Sequence, residues 1–154
     1  MAGNGKFIVL EAVNDAVLAQ LAQELCLWLR ARGLAGEETG EPTYGPAGAQ
    51  ILLARQGRLQ FDATSLALLY LADRLDHVQR SDGIESWLAL GRHVICVHYG
   101  LAAAARLWRR VEWDWLCRID ALCRAPDLTL WVDLAPDGIF QTKLREDYLA
   151  VVRR

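Results

Sequence analysis

Basic residues are not in excess in this chain. Lys and Arg total 17 against 19 Asp and Glu, a formal net charge of -2, so no basic surface announces a nucleic-acid partner. Arg106, Arg109 and Arg110 cluster locally, but Glu112 and Asp114 follow them, as on a solvated helix face. No apolar run approaches the roughly 20 residues that a membrane-spanning helix needs. The first residues also lack a leader pattern, so a cytoplasmic location is expected. Cys26, Cys96, Cys117 and Cys123 show no C-x-x-C spacing and lie in apolar stretches, which argues for buried, reduced thiols over disulfides or zinc. Internal repeats and low-complexity tracts are missing. No Ser/His/Asp or Cys/His arrangement stands out by spacing, so no catalytic residue, metal ligand or cofactor is assigned.

What is present is apolar mass. Hydrophobic residues make up 53% of 154, enough for a folded chain with a proper core, expected as one domain over 1–154. Of six tryptophans, Trp108, Trp113 and Trp115 lie close together and mark either a thick core or a subunit contact. An apolar β-type run at 7–10 leads into a helix starting near Asn14 or Asp15, both good N-caps, and stopping at Gly33. Residues 33–48 are rich in Gly and Pro and read as a loop with at most a short strand. Helices are expected over 47–55, 63–78, 84–90 and 142–154, and over 101–124 with a break near 110–112. HVICVHY (93–99) and DLTLWVDL (127–134) read as buried strands. Strands alternating with helices predict an α/β/α sandwich around a reduced parallel sheet.

The first strand–turn–helix has the layout of a unit that cradles phosphate through G-x-x-x-x-G-K-[ST]. With the register starting at Ala12, the two glycine positions hold Ala12 and Val17, the lysine position Leu18 and the hydroxyl position Ala19. Asp15 places a negative charge where phosphate would sit.

Several segments, in order, resemble the thymidylate kinase family of P-loop nucleoside-monophosphate kinases. FIVLE (7–11) looks like its first strand, EPTYGPAG (41–48) its Glu-Pro loop, and LLYLADRLDHV (68–78) its L-L-F-x-A-D-R-x-x-H helix. LALGRHVICVHY (88–99) is similar to the segment ending in Asp-Arg-Tyr, and PDLTLWVDLAP (126–136) to the strand before the lid. The departures fall on the phosphate side. Asp-Arg-Tyr is Val97-His98-Tyr99, the acidic position of the loop is Asn14, and the arginine before Glu-Pro is Gly40. GLAAAARL (100–107) offers almost no hydrogen-bonding side chain. Only 21 residues follow Asp133, so the arginine-bearing lid and last strand look deleted, with LREDYL (144–149) resembling the helix after the lid.

Tyr70, Arg74 and His77 share one helix face. The resemblance implies that Tyr70 stacks on a pyrimidine, Arg74 bonds the base, and Tyr44 and Glu41 stand beside it. The alternative is that Tyr70 packs in the core while Arg74 pairs with Asp73, Asp76 or Glu41, and the sequence favours it. His77 reads as a helix-end hydrogen-bonding residue. His98 either binds an anion weakly when protonated or is a satisfied strand-end histidine, and Asp133 caps the following turn. With the phosphate grips gone, the expectation is a catalytically inactive pseudokinase working as a homodimer or with another protein partner. Close packing of the alanines at 102–105 supports that interaction module. The alternatives are a sensor with a weak thymidine or dTMP pocket, and an active nucleoside-monophosphate kinase with an unconventional phosphate site.

Overall fold

The computed structural model describes residues 5–154, and four parallel strands form its middle layer. In chain order the elements are β1 (Phe7–Glu11), α1 (Asp15–Arg30), β2 (Gly36–Gly40), α2 (Pro46–Arg55), α3 (Ala63–Gln79), α4 (Ile84–Ala89), β3 (His93–Val97), α5 (Gly100–Leu107), α6 (Trp113–Asp120), β4 (Leu128–Trp131) and α7 (Ile139–Val152). The strand order is β2-β3-β1-β4, with Phe7 opposite Val94 and Ile8 opposite Leu128. A parallel strand with neighbours on both sides is covered on both faces, which is why β1 reads as continuous apolar sequence.

Alternate residues feed two cores. Phe7, Val9, Val94 and Cys96 pack with Val78, Ile84, Leu88 and Tyr99 on one face. On the other, Leu10, Ala12 and Ile95 meet Leu18, Ala22, Cys26 and Leu29 of α1. Those four fall at the spacing of one helix stripe, Asn14 caps the start of α1, and Gly33 at φ 74° follows its end. The three-layer sandwich expected from sequence is therefore present. Among the described residues, no helix is long and apolar enough to cross a membrane.

Several local expectations are corrected. β3 ends at Val97 because His98 turns the chain at φ 62°, a left-handed conformation uncommon for a non-glycine residue. β4 is shorter than expected and is not buried: it is one of the two edge strands, with Leu128 and Leu130 exposed. The alanines of α5 pack inside the chain, Ala102 and Ala105 against Leu144 and Tyr148 of α7 and Ala103 in the α3–α6 core. Their small size brings α7 close to α5 and does not supply a partner surface. Cys26 and Cys96 are buried, but Cys117 on α6 is exposed and Cys123 only partly buried. Asp133 holds Arg145 through two contacts of 2.6 and 2.7 Å instead of capping its turn. Arg109 is also tied down, by Asp147 at 2.8 Å.

Candidate functional site

The β1–α1 connection spans residues 12–14, and helix begins at Asp15. Asn14 extends its side-chain oxygen to the amides of Ala16 and Val17 at 3.1 and 3.2 Å. The amides that a glycine-rich loop would offer to an anion are thus taken by the N-cap. Ala12 and Leu18 are buried among apolar neighbours, and Val17 is partly exposed. Of the residues read at this end, Asp15, Ala19 and His98 border one cleft.

Next to that connection lies a buried polar network organised by Glu11, which sequence reasoning did not single out. One Glu11 carboxylate oxygen accepts the amides of Tyr99 at 2.9 Å and Ala102 at 3.3 Å. Those donors lie at the start of α5, whose N-cap Tyr99 makes no side-chain cap, so Glu11 supplies the cap from another element. Its second oxygen accepts the Tyr148 hydroxyl and His98 Nδ1, each at 3.0 Å. His98 Nε2 reaches Asp15 at 2.9 Å. Both ring nitrogens donate to carboxylates, the arrangement of an imidazolium. Burial opposes that charge, but the hydrogen bonds to Asp15 and Glu11 outweigh it and raise the His98 pKa above 6.5. Of the two sequence readings of His98, the satisfied histidine is the observed one, because no ring nitrogen is left for an anion. Burial, reinforced by Glu11, likewise pushes the Tyr148 hydroxyl up.

Tyr70 and Arg74 border a cavity of about 580 Å³. Its walls are apolar where α5 and α6 contribute Ala103, Ala104, Leu107 and Leu116, and polar where Arg74, Asp120 and Tyr99 approach. Arg74 is 2% exposed. Its Nε donates to Glu41 at 3.1 Å and its Nη1 bonds Asp120, while Nη2 has no hydrogen-bond partner among the described residues. Burial disfavours the Arg74 charge, yet Glu41 and Asp120 more than restore it, raising its pKa. Glu41 was among the partners foreseen; Asp73 instead holds Thr43 and Asp76 faces Arg80. Asp120 was not foreseen, since a lone carboxylate 46 residues away in sequence carries no signal. Tyr70 packs with Ile51 and Leu116, its hydroxyl accepting from Arg55 Nε at 3.1 Å. Cys123 also lines this cavity, its thiol pushed up to about 11 by burial.

A second cleft, of about 770 Å³, opens at the C-terminal ends of β2 and β3. It is bordered by Glu41, Tyr44, Arg55 and Arg80 with Asp15, Ala19 and His98. Tyr44 is 96% exposed on this rim and does not line the Tyr70 cavity. Arg55 borders the second cleft and bonds Tyr70, a lining residue of the first. His77 is fully buried between Thr39 at 2.6 Å and Glu41 at 3.1 Å, a structural role at the end of α3. Among the described residues, no group of three His, Cys, Asp or Glu could hold a metal.

Comparison with known proteins gives the arrangement its family. The thymidylate kinase family model matches residues 19–149. The chain is 31% identical over 150 residues to a probable thymidylate kinase of Pyrococcus horikoshii, covering 92% of this chain and 71% of that protein. It is 33% identical over 155 residues to a thymidylate kinase of Ruegeria pomeroyi, covering 95% and 72%. Among solved structures, thymidylate kinase from Ehrlichia chaffeensis superposes with a TM-score of 0.76 at 18% identity, covering 97% of this chain and 87% of that one. Thymidylate kinase from Candida albicans gives 0.75 at 20%, covering 96% and 78%. These comparisons overturn the expectation of a non-enzyme: the relatives are kinases by name, and nothing shows this chain to be inactive. The missing loop residues do not by themselves make a pseudokinase. Matched along most of its length in sequence and in fold, the chain belongs to the thymidylate kinase family.

Proposed function

We propose that this protein is a nucleoside-monophosphate kinase that takes a pyrimidine nucleoside monophosphate as acceptor and holds phosphate without a glycine-rich loop. The observation that carries the reading is the buried Arg74, a lining residue of the 580 Å³ cavity whose enclosed Nη2 has no hydrogen-bond partner among the described residues. A buried N–H without an acceptor costs about 1–3 kcal/mol. A carbonyl oxygen of a base is the kind of group that removes that cost. Tyr70, steadied by Arg55, offers a ring face against which a base stacks.

Phosphoryl transfer joins an acceptor phosphate oxygen to the γ-phosphorus of a donor nucleotide while the bond to the departing diphosphate breaks. The protein contributes positioning and charge, with little covalent chemistry of its own. Placement of the phosphates in the second cleft is supported by Arg55 and Arg80 among its lining residues, which also include Asp15, Glu38, Glu41 and Asp82. The Ala16 and Val17 amides contribute nothing while Asn14 occupies them. Four unpaired thiols support a reducing, cytoplasmic setting. Self-association through α3, where Leu68 is exposed, belongs to the same proposal.

The test is direct. Incubated with dTMP and γ-labelled ATP, the protein should form labelled dTDP, and Arg74→Lys should lower the yield at subsaturating dTMP roughly tenfold to a hundredfold, the worth of a charge-assisted hydrogen bond. No dTDP above the protein-free control, with UMP and dCMP equally unreactive, overturns the proposal.

A further inference from the structure

We infer that the Asp15 carboxylate is an internal stand-in for phosphate: it closes an anion subsite centred on His98 in the second cleft, which a phosphate group enters only when this side chain swings out. The inference rests on the placement of phosphates in that cleft proposed above and adds the contact that guards it. Asp15 and His98 both line the cleft, and His98 Nε2 donates to an Asp15 oxygen at 2.9 Å.

The two members of this contact are unequally held. The His98 side chain is 4% exposed and that of Asp15 is 71% exposed. His98 is fixed from behind, where Nδ1 donates to the fully buried Glu11 at 3.0 Å, and its backbone is set by the turn at φ 62°. Asp15 stands in the first turn of α1. An ion pair with an exposed member holds weakly, because water competes for the carboxylate. The carboxylate can therefore leave, whereas the imidazolium cannot.

The exchange conserves the bonding. A phosphate oxygen accepts from Nε2 as the carboxylate did, in a charge-assisted hydrogen bond, and Asp15 is rehydrated as it goes. The surroundings are cationic: after the hydrogen bond with His98, the charges of Arg106 and Arg55 also hold the Asp15 pKa below its ordinary value. Arg55 lines the same cleft, its Nε bonded to the neutral Tyr70 hydroxyl. Of the other carboxylates lining the cleft, Glu41 is paired with Arg74 and His77, Asp82 is paired with Arg80, and Glu38 belongs to β2. The Ala16 and Val17 amides are not needed, since Asn14 retains them.

Calorimetric titration of inorganic pyrophosphate at about pH 6, where an imidazole is mostly charged, tests the contact without nucleotide or phosphoryl transfer. Asp15→Ala should bind pyrophosphate roughly tenfold more tightly than the native chain, since a competitor and a repulsive charge are both gone. Asp15→Asn keeps the side-chain shape, should move the affinity the same way, and serves if the alanine variant does not fold. In isotope-labelled Asp15→Ala, pyrophosphate should shift the His98 Nε2 resonance more than that of Nδ1, which Glu11 retains. Glu24→Ala, further along the same helix, removes the same charge and should leave the affinity unchanged. Equal affinity in the native chain and the Asp15 variants, an equal gain in Glu24→Ala, or a gain that survives when Asp15→Ala is combined with His98→Asn, overturns the inference and leaves the proposed function to its own test of dTDP formation. Absence of dTDP with the pyrophosphate gain present overturns the reaction alone.

Discussion

Replacing Glu11 with alanine removes the one side chain that ties the end of β1 to the His98 turn, the start of α5 and the middle of α7. The carboxylate is fully buried and receives the amides of Tyr99 and Ala102, the Tyr148 hydroxyl and His98. Its loss strands those donors in a dry interior and leaves the His98 charge facing Asp15 alone. Breaking a buried ion pair by removing one partner costs about 3–5 kcal/mol, against a total stability on the order of 5–15 kcal/mol for a domain. At about 2–4 °C per kcal/mol for a chain of this size, the melting temperature should fall by roughly 6–20 °C. Glu11→Gln keeps the volume and one acceptor oxygen, so about 1–3 kcal/mol is expected. Urea unfolding followed by tryptophan fluorescence and by far-ultraviolet circular dichroism would measure both. A Glu11→Ala loss under about 1 kcal/mol, at unchanged denaturant slope, would show that water or neighbouring groups already satisfy these donors and refute the reasoning.

Three further outcomes are expected. The folded His98 pKa lies above 6.5, so its bridges stabilise fully below that value and weaken as pH rises through the folded one; the Asp15 pKa, lowered mainly by its hydrogen bond to His98, lies below 3.8, so its share is present above 3.8 and is lost as pH falls through the folded value. The advantage of the native chain over His98→Asn should accordingly peak between pH 3.8 and 6.5 and shrink on the alkaline side, and a flat difference in chemical unfolding from pH 5 to 9 would count against the imidazolium. Asn14→Gly should cost only a few tenths of a kcal/mol while freeing the Ala16 and Val17 amides, so sulfate should protect the variant against heat more than it protects the native chain; equal protection would mean that the N-cap is not what closes this helix end. Sedimentation at tens of micromolar should show a dimer, and a clean monomer would remove the self-association proposal.

How far the molecule was legible from its sequence depends on how local each cause is. Asn14 and Gly33 bracket α1 because cap chemistry acts within one turn, and Glu112 likewise restarts a helix after the break at 110–112. Sheet position is not local. The apolar run at 127–134 carries the signature of a buried strand, yet β4 has a neighbour only on the β1 side. Nothing within the strand records the missing cover. The alanines of α5 posed the same problem: smallness predicts close packing but not against which helix, and the answer is α7.

The site divides along the same line. Spacing alone placed Tyr70, Arg74 and His77 on one face of α3, which the fold buries, whereas Asp120 and Glu11 act across distances at which a lone carboxylate is silent. That asymmetry explains the error about activity. The register read from Ala12 to Ala19 bears only on one helix start, where Asn14 caps the amides of Ala16 and Val17. It says nothing of groups brought to the same cleft by other elements. Arg55 and Arg80 reach it from the ends of α2 and α3, through contacts that exist only once the sheet is assembled.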